Sequence, residues 1–565
     1  MKAKPTPVPD RSVAQVAGIA ALASLFSFLY YFQRGGILLY GDAVAHINIA
    51  RRVFDSLTPG PLQLGTVWLP LPHLLMVPFL WSNAMWQSGA GGSIPSMIAF
   101  VFGVTGIFRL TRGVLEAAPR TKPAAAMGGW IAAFAYGANP NLIYMQATAM
   151  TEPLYLALFI WAVVYFAEFI LGFSRDKTPG LTSKGRTALT SCGFCLAAAE
   201  LTRYDGWFLS GFIGCAIVVI VLRRWQDRDL RRLALKFLLG IAAAPIVWLA
   251  YNAMVYRNPL EFANGPYSAK AIEQRVQAPN PALHSVPVAA RYFLKSAQLN
   301  MAVGDWGRFW LAMAVLAFGI TVLKMRRPAV PLLLLWVPLL FYAYSIAYGS
   351  VPIHVSTWWP FATFNQRYGL QLLPMFAVSA GLLTAFIFVV VSSSVPNSAT
   401  VRGEGGRHTG KLLAVLLALV AVSYVSVWKE TPECLKEAQR NWSIRHTINS
   451  AVQRAVEGLP KNSMFLMDLG EHVGVMEQAG IPLRRVINGE NHRPWKLPSD
   501  PEGIWERALA DPPRYVDYVI VFDGDPVDQY ANRASIKELM EIHVTGQPRA
   551  RIFATGRVSA PNQSR

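Results

Sequence analysis

Eleven stretches of this chain are apolar for long enough to cross a bilayer, and no other feature limits its fold as tightly. They lie near residues 14–32, 93–110, 123–139, 150–172, 187–201, 207–222, 237–256, 306–323, 329–349, 367–393 and 412–428. A helix needs about 17 to 25 apolar residues for one crossing, and in hydrocarbon each backbone N–H and C=O must be satisfied within the segment, so such runs fold as helices. Composition agrees, with 53% hydrophobic and only 15% charged residues among 565. The expected fold is a polytopic α-helical membrane protein. The first run lacks a small-x-small cleavage pattern and reads as a retained helix.

A further apolar run, Trp68 to Ser88, is interrupted by Pro70, Pro72 and Pro78 and reads as a re-entrant or short, tilted helix, with a single full crossing as the alternative. On the first reading, six basic clusters share one side: those around Lys2 and Lys4, Arg112, Arg175 and Lys177, Arg228, Arg326 and Arg407. Basic short loops are retained in the cytoplasm. The expected location is the cytoplasmic (inner) membrane, with a cytoplasmic N-terminus and an outer C-terminal domain, periplasmic or extracellular. Positive loops facing anionic lipid also account for the net charge of +19 without any nucleic acid.

After residue 428 the composition becomes that of a soluble domain. We expect a membrane domain over 1–428 and an α/β domain over 429–565, where helix-like and strand-like stretches alternate as in a parallel layer. Its FDGDP, with Asp523 and Asp525, reads as a turn or helix cap in preference to a metal-binding DxD.

Ionisable residues collect where the outer ends of the spans are expected. In YGDAVAHINIARR the i, i+4 spacing puts Asp42 and His46 on one helix face, able to reach one substrate or metal ion, with Arg51 and Arg52 two turns on; a solvated polar face is the alternative. GTVWLPLPHLL adds His73. Glu152 opens an apolar run, where an acid must be paired, wet or capping the helix. TRYDG holds Arg203 and Asp205, a substrate contact or an ion pair fixing the turn. Arg367 and Tyr368 enter a late span from outside, where an arginine suits a phosphate or anchors at the interface beside Trp358 and Trp359. His354 reads as a solvated loop residue before a ligand. The segment 257–305 is a long loop, either covering a lipid-linked substrate or connecting spans, with Lys270 and Arg275 as secondary phosphate contacts. Asp42, His46 and Glu152 together would suit a divalent metal, Mg²⁺, Mn²⁺ or Zn²⁺.

The order GDAVAH, GTVWLPLPHLL, TEP, TRYDG and a late RY resembles the GT-C superfamily of integral membrane glycosyltransferases over residues 14 to 390 or so. With the runs counted above, the expected fold is GT-C-like, with about 11 transmembrane helices plus one re-entrant or short helix. The resemblance also implies a polyprenyl-phosphate-linked sugar donor, a hexosyl or pentosyl transfer to an envelope lipid, glycan or protein acceptor, and Asp42 as catalytic base. His46 and Glu152 would then contact a metal or the acceptor, and Arg367, Tyr368, Arg203, Lys270 and Arg275 the donor phosphate. Neither a Walker loop nor a strand-linked GxGxxG is found. Trp358-Trp359 is followed by Pro360, unlike the WWD-type motif of oligosaccharyltransferase subunits. The rival expectations are a secondary transporter and an inactive assembly or export subunit of the same fold.

Overall fold

A computed structural model describes residues 11–173, 181–276, 279–394, 399–470, 472–491 and 503–557. Lys2, Lys4, Arg175 and Lys177 of the expected basic clusters lie outside them. The helices that matter here are α1 (Arg11–Gln33), α2 (Gly41–Arg52), α3 (Ala90–Glu116), α4 (Ala125–Gly137), α5 (Glu152–Leu171), α6 (Ser183–Glu200), α7 (Asp205–Arg223), α8 (Arg228–Tyr256), α9 (Val286–Met301), α10 (Trp306–Met325), α11 (Val337–Tyr348), α12 (Leu373–Ser394), α13 (Ala399–Lys429), α14 (Glu433–Glu457) and α15 (Gly474–Ala479).

Among the described residues, nine helices are long and apolar enough to cross a membrane. Each expected run is helical, but two fall short of that standard. Helix α4 has 13 residues, and α6 starts on Ser183-Lys184-Gly185-Arg186 and ends on Glu200. Both pack on neighbouring helices, α4 against α3 and α12 and α6 against α5. Small residues permit the close crossings: a Cβ at Gly128 of α4 would stand 2.8 Å from the Gly381 carbonyl oxygen of α12.

The proline-broken run 68–88 forms three short pieces, Leu71–Met76, Val77–Phe79 and Asn83–Gln87, none long enough to cross. Segment 257–305 is not an open loop. It holds the helices Glu261–Asn264 and Ala269–Val276 and then α9, which packs on α11 and on the 3-10 turn Gln366–Leu372.

The C-terminal sheet consists of β1 (Phe465–Leu466), β2 (Val486–Ile487), β3 (Tyr518–Phe522), β4 (Lys537–Ile542) and β5 (Ala550–Ala554), ordered β2-β1-β3-β5-β4. The parallel layer expected from sequence holds for β2-β1-β3 only. Strand β5 runs antiparallel to β3 and β4; for the β4–β5 pair, segment 543–549 is too short for the crossover that a parallel pair requires. Strand β3, YVIVF, is buried at every position, as a central strand covered on both faces should be.

The sheet region sits on the helical region through α14 and α15. Asn48 of α2 donates to Glu477 Oε2 of α15 while accepting from Trp86 Nε1 at 3.1 Å. Burial raises the Glu477 carboxyl to about 8, against the smaller opposing effects of the Asn48 hydrogen bond and the Arg445 charge. Because the folded state then holds a proton that the unfolded chain releases above about 4.5, stability should fall as pH rises towards 8 and level off beyond it. Glu477→Gln should flatten that slope, measured as the unfolding midpoint between pH 5 and 9. An unchanged slope would remove Glu477 as its source.

Candidate active site

Two arginines, Arg367 and Arg203, organise the site. The 3-10 turn that carries Arg367 is held by α9: Ser296 Oγ and Asn300 Nδ2 both donate to the Gln366 carbonyl, at 2.6 and 2.8 Å. The approach is close enough that a Cβ at Gly369 would press on the backbone of Ser296 and Ala297. Arg367 is thereby aimed at three carboxylates. Its Nη2 lies 2.6 Å from Asp42 Oδ2, its Nε 3.2 Å from Glu152 Oε1, and its Nη1 donates to Glu437 Oε1. The backbone N–H of Arg367 also donates to Glu437 Oε2, at 3.2 Å. Its guanidinium stands over the rings of Tyr40 and Tyr368 at 5.2 and 5.1 Å.

Arg203 shares Glu152 with Arg367. Its Nη1 reaches Glu152 Oε1 at 3.2 Å and Thr151 Oγ1 at 3.1 Å, and its Nε faces Asp205 Oδ1 at 3.4 Å. Tyr342 of α11 closes the ring, accepting from Arg203 Nη2 at 3.0 Å and donating to Asp205 Oδ2 at 3.1 Å. Arg203 and Asp205 therefore form the ion pair that sequence left as one alternative, tied here to a larger network. Glu152 is the first residue of α5, where an acid complements the helix dipole; its Oε1 serves the arginines, while Oε2 is buried without a hydrogen-bond partner among the described residues.

Exposure separates the three carboxylates on Arg367. The side chain of Asp42 is 37% exposed, against 1% for Glu152 and 5% for Glu437. A pair that is partly in water is worth about 0–1 kcal/mol, whereas breaking a buried one costs several. Asp42 is thus the one member that can leave its partner cheaply. Its position is set from the C-terminal region: Asn441 Oδ1 of α14 accepts from the Gly41 N–H at 2.7 Å, satisfying a free donor at the start of α2, and Arg445 donates to the Leu39 carbonyl at 2.8 Å.

The remaining sequence candidates lie elsewhere. His46 does not join Asp42 and Glu152 around one point: its Nδ1 is 2.9 Å from His73 Nε2 and its ring packs on Trp68. Burial, then the charges of Arg203 and Arg367, push His46 down to about 3, and burial also lowers His73, so both imidazoles are neutral near pH 7. Among the described residues no group of three or more His, Cys, Asp and Glu side chains is arranged to hold a metal ion. Arg51 is a brace, bound to Asp55 at 2.8 Å, the Leu80 carbonyl at 2.6 Å and Asn83 at 2.7 Å. Arg52 lies at the far end of α2, beside Gln63 and Glu490.

His354 is buried, not solvated, with Nε2 2.9 Å from the Pro279 carbonyl oxygen; its backbone pairs with Phe364 in a loop folded back on itself. Lys270 is exposed, and Arg275 is exposed and donates to the Pro266 carbonyl; among the described residues no contact joins either to the arginine network. Asp523 pairs with Arg549 and Arg551, and Asp525 caps the helix Pro526–Tyr530, in keeping with the turn-or-cap reading. Sequence reasoning missed Glu437 and Tyr342. Tyr342 is hidden in the apolar run FYAY, and the acid spacing of ECLKE, just after the last span, was the available signal for Glu437.

No protein-family model matches the sequence, and no curated protein matches it. Solved structures do match. ArnT from Cupriavidus metallidurans bound to undecaprenyl phosphate aligns over 97% of this chain and 99% of its own, at 14% identity and a TM-score of 0.53. The archaeal oligosaccharyltransferase AglB from Archaeoglobus fulgidus, in complex with an inhibitory peptide and a dolichol-phosphate, aligns over 98% of this chain and 75% of its own, at 14% identity and a TM-score of 0.50. Spanning nearly the whole chain, these likenesses establish its architecture: it has the GT-C fold.

Proposed function

We propose that this chain is an inverting glycosyltransferase that moves a sugar from a polyprenyl-phosphate donor to an envelope lipid, glycan or protein acceptor, with Asp42 as general base. The observation that carries the reading is the unequal hold on the three acids of Arg367: Asp42 is accessible and loosely committed, Glu152 and Glu437 are not. The polyprenyl phosphates bound by ArnT and AglB supply the donor class.

In this reading the acceptor hydroxyl draws Asp42 away from Arg367. The carboxylate takes the hydroxyl proton, the acceptor oxygen bonds to the anomeric carbon, and the bond from that carbon to the phosphate oxygen breaks, its electrons leaving with polyprenyl phosphate. Arg367 Nη2, released by Asp42, is then free to stabilise the leaving charge, with Tyr368 beside it and Arg203 behind it. Inversion is expected because Glu152, buried between two arginines, is in no position to act as the nucleophile that retention requires.

Were a divalent ion to bind, Asp42 and the unpartnered Oε2 of Glu152 are the oxygens that fit it, His46 being committed to His73. Such an ion would neutralise phosphate charge. The proposed setting is the cytoplasmic membrane, N-terminus inside, with the sheet region and the reaction on the outer face.

The test uses the purified full chain with a panel of polyprenyl-phosphate sugars and envelope lipid extract, with and without chelator. Release of free polyprenyl phosphate with inverted configuration in the product is expected. Retained configuration would overturn the single-base mechanism, and no release from any donor would shift the assignment to transport or assembly.

A further inference from the structure

Helices α3 and α5, both long and apolar enough to cross a membrane, enclose a groove of about 450 Å³ with apolar walls, among them Pro95, Ile98 and Phe102 of α3 and Leu154, Trp161 and Tyr165 of α5. Ile98 and Phe102 are exposed, so the groove opens on the surface that the bilayer covers. On α5 the lining stripe stands about 180° round the helix from Glu152, so it faces away from the arginine network. From Leu154 to Tyr165 the groove follows α5 for about 16 Å, roughly half of a ~30 Å hydrocarbon core and so the depth of one leaflet's chain. Helical spacing continues each stripe to a charge: Arg109 lies seven residues beyond Phe102, and Glu168 three beyond Tyr165. The Arg109 guanidinium stands over the rings of Trp161 and Tyr165 at 5.3 and 5.6 Å, and Trp161 Nε1 donates to the Phe102 carbonyl at 2.8 Å.

The charged pair at the groove's end selects the headgroup. Arg109 Nε and Nη2 both donate to Glu168 Oε1, at 2.8 and 2.6 Å, which leaves Nη1 and Oε2 without a partner among the described residues. Both side chains remain accessible, at 39% and 20% exposure. A ligand that completes the pair must bring an anion for Nη1 and an N–H donor, best a cation, for Oε2. A phosphate followed by a primary ammonium does so. A choline headgroup has the charge but no N–H, and a phosphoglycerol headgroup or a polyprenyl phosphate has no cation to set against Glu168.

We propose that this groove binds a bilayer phospholipid of the phosphatidylethanolamine class, with one chain lying between α3 and α5, the phosphate on Arg109 and the ammonium on Glu168. Such a lipid ties α3 to α5, the helix whose first residue is Glu152. The site is separate from the transfer reaction and does not depend on that reading.

The experiment is native mass spectrometry of the full chain released from detergent, titrated with phosphatidylethanolamine, phosphatidylcholine and phosphatidylglycerol of identical chains, and with polyprenyl phosphate. Phosphatidylethanolamine should bind at least fivefold more tightly than the others. Glu168→Gln should reverse that order in favour of phosphatidylglycerol, because Arg109 then lacks its counter-charge; a merely loosened fold would weaken all lipids alike. Ile98→Trp, on the exposed wall of the groove, should weaken every phospholipid at least fivefold and keep their order. Unfolding midpoints show that each variant is folded, and Ile98→Trp keeps the test alive should Glu168→Gln fail to fold. Equal affinity for the three headgroups, an unchanged order in folded Glu168→Gln, or binding indifferent to Ile98→Trp would overturn the proposal. So would polyprenyl phosphate binding more tightly than phosphatidylethanolamine and losing that affinity in Ile98→Trp, a result that would give the groove to the polyprenyl chain.

Discussion

Asp42→Asn should lower polyprenyl-phosphate release by about 10²- to 10⁴-fold, the usual contribution of a positioned general base, with little change in stability. Asparagine keeps an oxygen for Arg367 Nη2 but cannot take a proton at neutral pH. Because the Asp42 side chain is 37% exposed, losing its ion pair should cost about 0–1 kcal/mol. The two readouts are complementary. A large rate loss with an unmoved unfolding midpoint marks a chemical role, whereas equal release by the variant would take Asp42 out of the mechanism.

Arg367→Gln should do the reverse in kind: it should unsettle the fold as well as the reaction. Glu152 and Glu437 would lose a cation they meet in near-complete burial, and removal of one member of a buried pair costs about 3–5 kcal/mol. Arg203 would still hold Glu152, so Glu437 bears most of the loss. Adding Glu437→Gln should therefore recover part of the midpoint, a coupling that a double-mutant cycle reads directly. Arg367→Lys should rescue poorly, because one ammonium cannot span three carboxylates in the directions a guanidinium does. An unfolding midpoint unchanged in Arg367→Gln would refute the network as a source of stability.

Much of the fold was legible because the bilayer imposes a demand that sequence displays locally: apolar runs of fixed length with charge at their ends. Two of the expected runs, α4 and α6, are helical but shorter or more polar than the other nine, and both pack against neighbouring helices. The site was legible one residue at a time. Asp42, Glu152, Arg203, Asp205 and Arg367 stood out as ionisable groups next to apolar spans, yet Arg367 and Glu152 are 215 positions apart in sequence, and no periodicity conveys that they meet. The i, i+4 spacing of Asp42 and His46 misled for a related reason. Spacing gives a shared helix face, but the partners across from that face, Arg367 for one and His73 for the other, decide what each residue does.

Glu437 carries a consequence for how the protein comes into being. Its carboxylate arrives on the first turns of α14, after the last apolar span, and it grips both the side chain and the backbone of Arg367. The acids around that arginine are therefore drawn from near the beginning, the first third and the last quarter of the translated chain. During synthesis the membrane portion inserts with its central cation incompletely matched, and the constellation is completed only when residue 437 has cleared the ribosome and folded back. A chimera joined at residue 429 would import the donor protein's version of this final acid, so grafting a foreign C-terminal region onto the bundle would rewire the centre of the site as well as whatever that region touches.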